Sequence, residues 1–292
     1  MALLRNRLVL GAGLLVMLLI VGRFVWNRYG TLVSDDPRYA LSAEKLHVTP
    51  APEWVQSDVT AAAIRTGKLD ELSLLDRDLV SRVDEAFRLQ TWVAEVEAVT
   101  KTATGVDVEL RYREPIAMVE IFTNGSAKLQ PVDAEGVLLP GAEFSQTQAQ
   151  QFLRIAVPQP RLHGLIDGTQ WPDERVVAAA EVAGLLFESR QPLHLFRINM
   201  LLPDQGQRQR VPQFEIETTT GQRVVWGSPP SATQSYEASA DDRLAALQSL
   251  EKTLTAKAPK GQALYDVRTG TAVLVPQSSD IAGPSQNPWG SN

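Results

Sequence analysis

Residues 8–22, LVLGAGLLVMLLIVG, run for fifteen positions without a charge, and this run constrains how the rest of the chain can be placed. Phe24, Val25 and Trp26 extend it past Arg23 to nineteen residues. At ~1.5 Å per residue that is about 28 Å of helix, close to the ~30 Å hydrocarbon thickness of a bilayer. Arg23 lies near one end, where its aliphatic stem can reach the interface, and Trp26 and Tyr29 suit an interfacial aromatic belt. A cleaved signal peptide would share the apolar core, but residues 23–30, RFVWNRYG, are bulky and hold no A-x-A-like site. The expectation is an uncleaved anchor: a cytoplasmic tail over residues 1–7 and a transmembrane helix over 8–26. The flanking arginines are nearly balanced, Arg5 and Arg7 before and Arg23 and Arg28 after. The short tail and the acidic body favour a body outside the cytoplasm.

Composition narrows the chemistry. Of 292 residues none is cysteine, which excludes a disulfide framework, a zinc-finger module and a thiol nucleophile. The net charge is −6, and the first thirty residues hold four arginines and no acid, so the body is more acidic than the total. An acidic body repels phosphate backbones, so nucleic acid is not expected as a partner. His47, His163 and His194 lie outside any H-x-x-x-H or H-E-x-x-H spacing. The paired acids Asp35–Asp36 and Asp241–Asp242 are sequence neighbours and do not face one another; the first reads as linker and the second as a helix start. No G-x-S-x-G elbow occurs, and Gly11 and Gly13 lie inside the apolar run. The expectation is a protein with no catalytic residues, no metal, no cofactor and no small-molecule substrate.

The body reads as α+β. A strand is expected within 41–48 and a helix from Ser57 or Asp58 to about Thr66. A second helix is expected from Asp76, with Leu79, Val80, Val83 and Phe87 on its buried stripe. Trp92, at the helix–strand junction, reads as core. Val106, Val108, Leu110 and Tyr112 alternate with Asp107, Glu109 and Arg111, the period of a half-buried strand. Strands over 116–122 are expected to continue the same sheet, with a tight turn at Asn124–Gly125 and a hairpin around 133–136. Farther on, a helix is expected from Pro172 to about Ser189. Strands follow over 193–200, 214–218 and 224–226. One last helix spans about 241–256, and a final hairpin pairs 264–267 with 272–275. Residues 277–292 are rich in Ser, Pro, Gly and Asn and read as a disordered tail.

The first body unit thus has the order β-α-α-β-β. Residues 91–96, TWVAEV, resemble the "PWV-x-x-V" strand entry of the FtsQ/DivIB family of bacterial cell-division proteins. Residues 107–117, DVELRYREPIA, resemble its "L-x-I-x-V-x-E-R-x-P-x-A" strand. Residues 132–137, VDAEGV, resemble its "V-D-x-x-G" hairpin, and residues 265–268, YDVR, its late "Y-x-D-x-R" strand in shortened form. The motifs occur in the family's order behind one apolar run, over about residues 8–276. Thr91 stands where the family has proline, and Glu114 is followed directly by Pro115 without the intervening basic residue.

The resemblance implies a POTRA-like domain over 38–123 and a β-domain over 124–276, a mixed α/β unit with an antiparallel sheet. It implies a single-pass protein of the inner membrane whose periplasmic body acts in septum formation as a scaffold. An antiparallel sheet that ends in a C-terminal hairpin leaves an edge able to accept another protein's strand. Family membership implies that this edge recruits bitopic partners of the FtsB and FtsL type. The candidate partner-binding residues are Leu264, Tyr265, Val267, Arg268, Ala272, Val273, Leu274 and Val275, and a proline at Val273 is expected to remove one ladder donor and abolish partner capture with the fold retained. Two other readings stay open at this level: a POTRA-bearing component of a secretion or pilus-assembly system, and a membrane-anchored cell-wall enzyme.

Overall fold

The computed structural model describes residues 16–24, 38–123, 125–202, 211–256 and 263–275. Residues 16–24 are helical, with every side chain exposed. Among the described residues no helix is long and apolar enough to cross a membrane. The rest of the expected span, the linker at 31–37 and the tail at 277–292 lie outside the described residues. The body divides into two compact units, Met1–Arg113 and Glu114–Asn292.

In the first unit the chain runs β1 (Leu46–Val48), α1 (Val59–Gly67), α2 (Leu79–Arg88), β2 (Val93–Lys101) and β3 (Val106–Tyr112). The β-α-α-β-β order is the expected one. Asp58 caps α1, accepting from the Ala61 N–H at 2.9 Å. Helix α2 starts two residues later than expected. Asp76 accepts instead from the Ser73 N–H at 2.8 Å, and Asp78 takes the N-cap position. Leu79, Val83, Ala86 and Phe87 are buried, while Val80, about 100° around the helix from Leu79, lies on the flank of that stripe and is exposed. Both helices and Trp92 pack on a three-stranded sheet of order β1-β3-β2, in which β1 and β3 are parallel and β2 and β3 antiparallel. Val106, Val108 and Leu110 face this core, as their alternation requires.

The second unit is an eight-stranded sheet of order β11-β10-β9-β8-β7-β6-β4-β5. Its strands are β4 (Ala117–Thr123), β5 (Ser126–Val132), β6 (Leu153–Ala156), β7 (Leu195–Leu201), β8 (Gln213–Thr218), β9 (Arg223–Gly227), β10 (Leu264–Asp266) and β11 (Val273–Val275). The helices are α3 (Gln146–Ala149), α4 (Glu174–Leu186), α5 (Ala240–Ser249) and α6 (Glu251–Thr255).

Three expectations need correction. Residues 117–123 do not continue the first sheet: Ala117 pairs with Val132 and with Leu153, so the unit boundary falls at Arg113 and Glu114 rather than at 123 and 124. The Pro115 ring, which cannot donate to a ladder, follows Glu114 and ends the first sheet's run of chain. The sheet is mixed rather than antiparallel. Strands β4 and β6, β6 and β7, and β9 and β10 pair in parallel. Each of those pairs is joined by a crossover, with α4 between β6 and β7 and α5–α6 between β9 and β10. The last helix is two, broken at Leu250.

The core lies between this sheet and its helices. Ile155, Ile198, Phe214, Ile216, Val224 and Trp226 meet Val176, Ala180, Ala183 and Leu247. On the opposite face the sheet is closed by charge. Buried Glu120 accepts from Arg154 and from Arg197, each at 3.1 Å, and both guanidinium groups stack on Phe196. Arg223 grips buried Glu215 with bonds of 2.7 and 2.6 Å.

Candidate functional site

Each sheet has two edges, and the sequence treats them differently. In the first unit β1 is only three residues long, while β2 carries Glu95, Glu97 and Lys101 and two register shifts. Short length, charge and bulges all discourage pairing with a foreign strand. In the second unit β5 bears exposed Lys128 and a proline, Pro131. Its distal end is also covered by its own chain. The Leu139 N–H donates to the Pro131 carbonyl at 2.9 Å, and Val132 bridges Leu138. Residues 168–171 then cover that segment in turn: the Trp171 N–H donates to the Gly136 carbonyl and the Leu138 N–H to the Thr169 carbonyl.

Strand β11 is as short as β1, but among the described residues it has no charge, no proline, no bulge and no covering segment. It holds Val273, Leu274 and Val275, without a charge or a proline, and pairs only with β10 among the described residues. Val273 is 52% and Leu274 58% exposed.

The hydrogen-bond phase of this edge follows from its neighbours. The Arg223 N–H donates to the Ala263 carbonyl and the Val267 N–H to the Val225 carbonyl, each at 3.2 Å. In a parallel ladder this means that Ala263, Tyr265 and Val267 turn their backbone groups toward β9. Leu264 and Asp266 therefore turn theirs toward β11. Their partners are Val275 and Val273, so the backbone groups of those two valines point inward. The N–H and C=O of Leu274 are left pointing outward. A proline at Val273 would thus break the β10–β11 bond rather than the outer edge; Leu274 carries the outward donor.

The eight candidate residues separate accordingly. Val273, Leu274 and Val275 form the outer strand. Leu264 and Tyr265 belong to the inner strand, with Tyr265 packed on the core. Val267 is fully buried, so it supports the hairpin and cannot touch a partner. Ala272 also packs on the core. The Arg268 guanidinium is held by both oxygens of Asp266, at 2.6 Å for the shortest bond, and this contact raises its pKa.

Leu274 shares a face with Tyr265, whose partner on β9 is core Val224. Val273 and Val275 lie on the opposite face. A strand added beside β11 would therefore cover Leu274 on the helix side and Val273 on the other. Apolar residues on both faces of the added strand suit this edge.

Sequence reasoning missed a group that supports this edge. Arg243 and Glu237 are both fully buried and lie 3.7 Å apart. Burial lowers the Arg243 pKa, and Glu237 opposes that shift. Arg243 sits at an i, i+4 spacing from Leu247, the one signal that could have marked it as inward-facing.

Elsewhere, a cavity of about 560 Å³ lies beside α4, walled in part by Trp171, Val177, Met200 and Pro212. Glu174, Arg175 and Glu181 also line it, and Arg175 is bound to Asp173 at 2.7 Å. Among the described residues no group of three or more His, Asp or Glu side chains is placed to hold a metal. No protein-family model matches the chain, and no curated protein matches it significantly.

Proposed function

We propose that this protein is a single-pass scaffold of the bacterial division machinery. It is anchored in the inner membrane, holds its body in the periplasm, and recruits bitopic partners of the FtsB and FtsL type by adding their strand to β11. The observation that carries the reading is the outer edge of β11, which pairs with no further strand among the described residues and directs the Leu274 N–H and C=O away from the sheet. Strand addition needs such a ladder of unpaired backbone groups and needs no chemistry at side chains. The β-α-α-β-β order of the first unit fits a POTRA-like domain, and the exposed helical residues 16–24 fit the C-terminal half of an apolar anchor. The work is done without catalysis, cofactor or metal.

The test is a photo-crosslinking residue at Val273 in the full-length chain, activated in intact membranes and analysed by mass spectrometry. The expected product is a small bitopic protein of the FtsB and FtsL type, and the same probe at Lys128 captures none. Equal capture at both positions, or capture of secretion components at Val273, overturns the proposal.

A further inference from the structure

We infer that Arg243 and Glu237 are positioning residues for the β11 edge, holding the β10–β11 hairpin where a partner strand can dock. The inference rests on the reading of β11 as the binding edge. Arg243 projects from α5 and reaches back under the end of β9. Its Nη1 donates to the Trp226 carbonyl at 3.1 Å and to the Ser228 carbonyl at 2.9 Å, and its Nη2 to Thr233 Oγ1 at 3.3 Å. The guanidinium lies 4.8 Å from the Trp226 ring. Glu237 accepts from the Ser228 N–H at 3.2 Å, from the Gln234 N–H at 3.2 Å and from the Ser228 hydroxyl. The pair therefore ties the chain from Trp226 to Glu237 with six hydrogen bonds, and both charged side chains are buried.

That chain is what the hairpin leans on. The Ala238 N–H, one residue past Glu237, donates to the Arg268 carbonyl at 2.7 Å. Gly227 adopts φ +99°, and a Cβ there would lie 2.5 Å from Glu237 Oε1 and 2.9 Å from Arg268 Cγ, so strand end, acid and hairpin meet at one place. Gly270, in the hairpin turn at φ +77°, would bring a Cβ 3.0 Å from the Ala238 Cβ and 3.4 Å from that of Asp242. The hairpin strands are only three residues each, and β10 is tied to the sheet through β9 and buried Val267. The buried pair and the Ala238–Arg268 bond add a second restraint at the turn end of the hairpin.

The test uses full-length chain in detergent micelles and reads backbone hydrogen exchange. The double variant Glu237→Gln with Arg243→Met removes both charges together and preserves side-chain size, so no unpaired charge is left in the core. Exchange over residues 264–275 is expected to accelerate by about tenfold or more, while β4, β6 and β7 exchange at the wild-type rate. Ala238→Pro, which deletes the N–H on Arg268 and leaves the pair intact, is expected to accelerate the same amides. Arg243→Lys keeps the charge but not the fork and should fall between. Unchanged exchange at the hairpin, or equal acceleration across the whole sheet, overturns the positioning role. Capture by the Val273 probe is measured on the same variants. A loosened hairpin with undiminished capture overturns the edge reading and leaves the positioning role standing.

Discussion

The two edges of the eight-stranded sheet solve the same problem in opposite ways. Strand β5 is longer, carries Lys128 and Pro131, and is covered at one end by residues 137–139, which are covered in turn by residues 168–171. Strand β11 is short and uncharged, with no described segment beside it. An uncovered apolar edge is a liability unless something is meant to pair with it. Among the described residues, two chain segments close one edge and none lies along the other. That contrast, more than any feature of β11 alone, points to the C-terminal hairpin as the docking element.

The contrast can be broken most sharply by proline. Leu274→Pro removes the outward donor of β11 and should lower capture at the Val273 probe by about a hundredfold, whereas Lys128→Pro on β5 should leave capture within about twofold; equal losses from both would dissolve the distinction.

A second test opens the closed edge with acid. Burial pushes the Asp173 carboxyl up, but the Arg175 hydrogen bond and the Arg161 and Arg175 N–H groups outweigh it and hold the pKa at about 2. A carboxylate depressed in the folded state stabilises above its unfolded pKa near 4, and that stability is lost as pH falls toward 2. The lost stability should be of order 2 kcal/mol, read as a falling denaturation midpoint between pH 4 and 2. Asp173→Asn should flatten that dependence. Because Asp173 follows directly on the segment that covers residues 137–139, exchange near β5 should rise before exchange near β11.

Asp133 is a smaller lever on the same edge. Its Oδ1 accepts from the Glu135 N–H at 3.0 Å and the Val137 N–H at 2.8 Å, shaping the turn that brings 137–139 back along β5. Asp133→Ala should cost about 1–2 kcal/mol by chemical denaturation and promote self-association measurable by ultracentrifugation. The smallest effects sharpen the roles within the hairpin. Val267→Ala, in the core, should cost about 1–2 kcal/mol, while Val273→Ala on the exposed strand should cost less than about 0.5 kcal/mol and still weaken capture.

Much of this layout was legible before any coordinates. The alternation in residues 106–112 identified β3 and its buried face, and Leu79, Val83 and Phe87 gave the inward stripe of α2. Val80 failed because it lies about 100° around the helix from Leu79, on the flank of the stripe that Leu79, Val83, Ala86 and Phe87 bury. Strand β4 was assigned to the wrong sheet because its apolar pattern is equally satisfied by either core. Arg243 was missed because a charged residue in an amphipathic helix ordinarily faces water, and nothing local announces the acid and the carbonyls that receive it.

The order of elements, the apolar run before them and the alternating strands are properties of local sequence, because side-chain period and backbone propensity act over a few residues. Which sheet owns β4, which edge is covered and which way the Leu274 amide points depend on pairings between residues far apart in the chain. Those long-range choices, made by packing and by the hydrogen-bond phase inherited strand to strand from β9, are what leave β11 paired on one side only among the described residues.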